Sequence, residues 1–253
     1  MKAVLLLGAI ILVVFFARFV LRLPQVMIHT ITVEGAAAVP KGEIEGVARE
    51  AIAGDYLYLF PRASIFLYSK TAVVEALLKK YRRIVSASVG FLSPTKIAVR
   101  VTERAPTAIF CTSDSLATVT VNTSCYFMDA DGFVFDTASP ALSSLYFTYF
   151  GKITAEDAVG QTYLPAKEFS DLGNFVGALK KRGVAPIALS LSPDDDFTVY
   201  LAGGARLLFS RRAGFAVGLQ NFDTVAGKLL GAAAPRLDYA DFRFGNKVFY
   251  KSH

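Results

Sequence analysis

The chain has 253 residues, 53% of them apolar and 19% charged, enough for one or two domains with real cores and too apolar for a disordered segment. Its net charge of +6 loses significance once located. Residues 1–23 carry Lys2, Arg18 and Arg22 with no acid, and the remainder holds 24 basic against 21 acidic residues, without the basic stripe that a nucleic-acid backbone requires. Two His and two Cys supply no local zinc-ligand spacing, and no GxSxG, HExxH, P-loop or GxGxxG motif occurs. Carboxylate-only catalysis stays open by residue type; otherwise the expectation is a non-enzyme without cofactor or metal.

Ala3–Ala17 is an unbroken apolar run, and with Arg18–Leu23 it makes 21 residues. As a helix this is about 32 Å long, enough to cross a bilayer if Arg18 snorkels to the headgroups. Pro24 stops it. A cleaved signal peptide is the competing reading, but no A-x-A pattern follows the run and Phe15, Phe16, Phe19 and Val20 crowd the cleavage region. A retained anchor is therefore expected. Lys2 on one flank and Arg18 and Arg22 on the other leave its orientation undetermined by charge.

From residue 24 to 105 the pattern reads β-α-α-β-β. Ile31 and Val33 alternate with polar neighbours until Gly35. Pro40 opens a helix with Ile44, Val47, Ala48, Ala51 and Ile52 at helical spacing, and Gly54 closes it. After the connector YLYLFPRAS, Val73, Val74, Leu77, Leu78 and Tyr81 stripe a second helix whose end gathers Lys79, Lys80, Arg82 and Arg83. Two strands follow, one with Ala87, Val89 and Phe91 on a face, the other with Ile97, Val99 and Val101, split by Ser93-Pro94.

From residue 106 to 253 the chain turns mostly to β. TAIFC, LATVTV, CYFMD, GFVFD, LYFTYF, PIALSL, FTVYLA and ARLLFS all read as strands, with hairpin signals at Asp131-Gly132 and Gly203-Gly204. Helices are expected over roughly 166–182 and 214–230. LDYADFRF and KVFY form a last pair of strands about a Gly245-Asn246 turn. The fold class is α+β: an anchor over 1–23, a small α/β layer pair over 24–105, and a β-rich domain with helices over 106–253.

The span LLKKYRRIVSASVGFLSPTKIAVRVTERAPTAIF resembles the end of the POTRA domain in the FtsQ/DivIB family of bacterial cell-division proteins. The likeness is carried by a basic helix end, Tyr81, two strands split by Pro94, and V-x-V-x-E-R-x-P at Val99, Val101, Glu103, Arg104 and Pro106. It continues through Asp129, Gly132 and Phe135 of a D-x-x-G-x-x-F turn and through Asp241, Phe242, Arg243 and Phe244 of a D-L-R-Y-like strand. The chain departs from the family pattern in Arg82 after Tyr81, a nearly absent cytoplasmic tail, and its two cysteines. The resemblance implies a single-pass protein of the bacterial plasma membrane with a cytoplasmic N-terminus and its bulk outside. It implies a scaffold at the division septum that binds FtsB/FtsL-like small coiled-coil proteins and other divisome components. Another POTRA-containing assembly or secretion factor and an anchored envelope hydrolase are the alternatives.

By the same resemblance Arg243 and Phe244 match partner-contact positions, and Lys247, Val248, Phe249 and Tyr250 form a terminal strand open to β-augmentation, flanked by Lys247 and Lys251. As plain structure, Arg243 is a surface charge beside a core strand; if exposed, its replacement would change folding by no more than about 0.5 kcal/mol. An exterior compartment permits a disulfide between Cys111 and Cys125; the alternative is two small buried hydrophobes on adjacent strands. Asp129, Asp131 and Asp136 lack the distal glutamate of a calcium loop and read as a polar hairpin turn. Asp194–Asp196 reads as a solvated turn.

Overall fold

The computed structural model describes residues 2–151, 153, 158–230 and 236–252. Helix α1 (Lys2–Leu21) carries no acid, and none of its residues is buried within the protein. A helix this long and uniformly apolar supports a single-pass membrane topology. Pro24 ends it in a short 3₁₀ turn, Pro24–Val26. The chain then divides into two units, the first running to Arg104 and the second beginning at Ala105.

In the first unit β1 (Thr30–Glu34) leads to α2 (Lys41–Ala51), which starts directly after Pro40 and carries Glu43 in its first turn. A short hairpin, β2 (Asp55–Tyr56) and β3 (Phe60–Pro61), precedes α3 (Lys70–Lys80). The Ser69 hydroxyl caps α3 by accepting from the Ala72 amide at 3.1 Å, and Lys79 and Lys80 occupy its last turn. Strands β4 (Ile84–Ser93) and β5 (Lys96–Glu103) complete a sheet of order β1-β5-β4. β1 runs parallel to β5 with Val33 beside Val99, and β4 runs antiparallel with Val89 beside Val99. Ile31, Ile97, Val99 and Val101 belong to one buried cluster with Ile44, Val47, Val73 and Leu77 of the helices. The β2–β3 hairpin stands where the sequence predicts a plain connector, because YLYLF carries no Gly, Asn or Asp at its turn.

The second unit is built on one nine-stranded sheet. Its strands are β6 (Ala108–Cys111), β7 (Cys125–Met128), β8 (Val134–Ala138), β9 (Phe147–Phe150), β10 (Pro186–Leu191), β11 (Asp196–Leu201), β12 (Arg206–Ser210), β13 (Leu237–Phe244) and β14 (Lys247–Ser252). In space the order is β14-β13-β12-β11-β10-β9-β6-β7-β8. Helix α4 (Ala166–Lys181) connects the parallel pair β9/β10, and α5 (Phe215–Leu230) connects the parallel pair β12/β13. Such crossovers place helices over a sheet face. An aromatic core fills this layer: Phe175 meets Phe197, Phe209 and Phe215 within 4.9–5.4 Å, and Phe209 stacks on Phe242 at 4.9 Å. A separate buried cluster of Ile109, Cys111, Cys125, Phe150 and Ala188 is covered by Leu116, Val119, Leu142 and Tyr146 from irregular segments.

LATVTV is not a strand: Leu116–Thr118 is a 3₁₀ turn closed by Ser115 and Thr118, and turns follow it. Its alternation fits a strand locally, but the neighbouring β6 already has β7 on one side and β9 on the other, so neither side of β6 is open to it.

Candidate interaction surface

The chain's last hairpin forms one end of the large sheet. β14 is bonded only to β13, and its outer side meets no strand among the described residues. The opposite edge is closed differently. There Val134 N donates to the Gln161 carbonyl at 2.9 Å, Gly160 N donates to that of Val134 at 2.7 Å, and Phe133 bridges to Thr162. One sheet edge is thus partly capped by the chain itself, and the other pairs with no further strand among the described residues.

The turn between β13 and β14 is held from outside the hairpin, where Asn221 of α5 donates its side-chain amide to the Gly245 carbonyl at 2.5 Å. Phe242 turns inward against Phe209 and Phe222. On the neighbouring positions Asp241 and Arg243, two residues apart and so on one strand face, meet as a fork. Arg243 Nε and Nη2 donate to the two Asp241 carboxylate oxygens at 2.9 and 2.7 Å, and Nη1 reaches Asp196 Oδ2 of β11 at 3.0 Å. Donation to these carboxylates, above all to Asp241, outweighs the cost of partial burial and pushes the Arg243 pKa up. The guanidinium also lies 5.6 Å from the Phe244 ring centroid.

Beyond this ion cluster the hairpin exposes aromatic area. Phe244, Phe249 and Tyr250 are 53%, 52% and 58% exposed, and Phe244 meets Phe249 edge-on at 5.3 Å. Phe249 and Tyr250 are consecutive on a strand, so they leave opposite faces, and each is more than half exposed among the described residues. Val248 is half-buried and packs on the main core, Lys247 is exposed, and Lys251 reaches Asp238 at 3.6 Å.

The residues expected at a partner surface therefore fall in one hairpin, but they play different parts. Phe244, Phe249 and Tyr250 are presented to solvent, and Val248 anchors the strand. Arg243 is half-buried and engaged by two carboxylates of its own chain, so it is not a plain surface charge. Its partner Asp241 was legible, since the spacing of two in DFRF puts both on one face. Asp196 was not, because only the tertiary sheet brings β11 within reach of β13. The Asp194–Asp196 turn is correspondingly more than solvated: Asp195 pairs with Arg211 at 3.6 Å and Asp196 with Arg243.

Cys111 and Cys125 are register partners on β6 and β7, with Cα atoms 4.1 Å apart, and their sulfurs are bonded. Asp129 staples the β7–β8 turn by accepting from the amides of Asp131 and Phe133, both at 3.0 Å. Gly132 sits there at φ +78°, where a Cβ would lie 2.8 Å from the Phe169 ring. Among the described residues, no group of three or more His, Cys, Asp or Glu is placed to hold a metal ion. A groove of about 860 Å³ is lined by Leu116, Val119, Tyr146, Phe147, Ile187 and Lys180 together with several hydroxyls.

No protein-family model matches the chain, and no curated protein matches it.

Proposed function

We propose that the chain is a non-enzymatic scaffold of the FtsQ/DivIB type: a single-pass anchor, a POTRA domain over residues 24–105, and a β domain over 106–253 that recruits FtsB/FtsL-like coiled-coil proteins to the division septum. The observation that carries this reading is the open, aromatic edge strand β14. An incoming strand would extend the sheet by main-chain hydrogen bonds, and Phe244, Phe249 and Tyr250 would supply desolvated anchors. Arg243, already committed to Asp241 and Asp196, acts here as a brace that fixes Phe244 at the hairpin tip. Lys247 and Lys251 at the strand ends discourage indiscriminate edge pairing.

The test pairs binding with stability. Phe249→Asp together with Tyr250→Asp should abolish co-purification of an FtsB-like partner from dividing cells, since aromatic anchors at interface centres contribute about 2 kcal/mol or more each. The melting temperature should stay nearly constant, because both side chains are exposed. Capture that survives both changes removes β14 as the surface. A fluorescent fusion spread evenly over the envelope, without a midcell band, removes the division role.

A further inference from the structure

The β2–β3 hairpin carries an arrangement that exposure to water does not explain. Its turn, Tyr56-Leu57-Tyr58-Leu59, is closed by Leu59 N donating to the Tyr56 carbonyl at 3.0 Å. Both central residues have positive φ, 52° at Leu57 and 58° at Tyr58. This is the backbone of a two-residue hairpin turn normally occupied by Asn and Gly, and large side chains adopt it only under strain. Those two side chains are also 82% and 93% exposed, so they gain nothing from packing within the protein. Phe66 adds a further exposed ring to the first unit.

The hairpin's position along α1 gives the reason. Its base is held at Arg22, whose Nη2 donates to Asp55 Oδ2 at 2.7 Å. Its tip is held at Arg18, whose Nη1 donates to the carbonyls of Leu59 at 2.9 Å and Tyr58 at 3.3 Å. Arg18 lies one helical turn before Arg22, about 6 Å nearer the middle of the span. The hairpin therefore runs back along the helix end, with its tip on the bilayer side of its base. At that level a tyrosine and a leucine fit the boundary between headgroups and acyl chains, where aromatic side chains concentrate. The Arg18 contacts also satisfy carbonyls that would otherwise be stranded there, and they give a membrane-depth arginine fixed partners.

We propose that the tip of this hairpin, Leu57 and Tyr58, inserts into the interface of the same bilayer that holds α1, as a second point of attachment for the first unit. The inference rests on α1 lying in a membrane and on no particular partner. A two-point contact restricts rotation of the unit about the helix axis.

The chain contains no tryptophan, so an introduced one reports alone. The full-length Tyr58→Trp protein is reconstituted into phosphatidylcholine–phosphatidylglycerol vesicles, with Val85→Trp as the control. Val85 is exposed near the β4 end that pairs with Glu103, at the opposite end of the sheet from Thr30. Expected for Tyr58→Trp are a blue-shifted emission, quenching by lipids brominated near the carbonyl, and loss of acrylamide quenching; Val85→Trp should show the reverse. Leu57→Trp should repeat the first pattern. If Tyr58→Trp protein floats with the vesicles yet is quenched by acrylamide as strongly as the control, or is shielded from both quenchers, the insertion is refuted while the anchor stands. Failure to float would refute both.

Discussion

Glu103 joins distant parts of the first unit through one carboxylate. It accepts from the amides of Ala37, Ala38 and Val39 at 2.9–3.2 Å, tying the segment before α2 to the end of β5. Burial pushes its carboxyl pKa up, but these amides and nearby Arg83 outweigh it and bring the value below that of a free glutamate. A lowered folded pKa gives stability that is fully present above the ordinary value of 4.5 and is lost as the pH falls through the lower folded value. Glu103→Gln should cost about 1–2 kcal/mol at neutral pH, a figure reduced by solvent screening of a partly exposed group, and should flatten the acid limb of the stability curve below the ordinary glutamate range. Urea midpoints measured across acid and neutral pH check this; a parallel shift at every pH would count against it. Arg243 poses the same question in the second unit. Asp241 is 6% exposed, and Arg243→Ala leaves it without its fork. The expected cost is about 2–4 kcal/mol, seen as a lowered melting temperature. An unchanged melting temperature would return Arg243 to the status of a surface charge.

Among the elements, the segment between β6 and β7 depends most on a single covalent link. Cys111 and Cys125 are 14 positions apart, and the chain they enclose supplies Leu116 and Val119, which cover the smaller core of the second unit. Closing a loop of this length contributes about 3 kcal/mol in the chain-entropy model. Reduction should therefore lower the urea midpoint of the native protein, and Cys111→Ala with Cys125→Ala should reproduce the loss without reductant. A midpoint indifferent to reductant would show that strand pairing between β6 and β7 alone holds the segment. The edge strands differ in the same structural terms. β8 is partly covered by residues 160–162, whereas β14 ends the sheet with aromatic side chains on both faces.

Over the whole molecule, each unit has its own hydrophobic layer and presents a different feature at its surface. The first unit packs α2 and α3 on a three-stranded sheet and carries the apolar helix α1, which supports a membrane topology, and the β2–β3 hairpin bonded to its end. The second unit packs α4 and α5 on a nine-stranded sheet and carries the open edge, a feature suited to protein partners. In neither unit does the distinctive feature lie in the core. The cores set rigid frames, and what extends beyond them can meet lipid or protein.

Local sequence pattern was enough for the periodic parts. The apolar run of α1, the stripes of α2, α3, α4 and α5, and the alternation of most strands are local patterns, and burial of one face needs no distant information. The turns at Asp131-Gly132 and Gly203-Gly204 were legible for the same reason, since backbone conformation there selects the residue. The rest follows from contacts between segments distant in the chain. LATVTV has a strand's alternation but cannot pair with the adjacent β6, because β7 and β9 already occupy both of its sides. The hairpin at Leu57 and Tyr58 lacks the residues its turn prefers, so only its contacts with Arg18 and Arg22 reveal it. Arg243 could be matched with Asp241 by spacing alone, but its burial and its bond to Asp196 follow from sheet order, which sets which strands, far apart in the chain, lie within reach of one side chain.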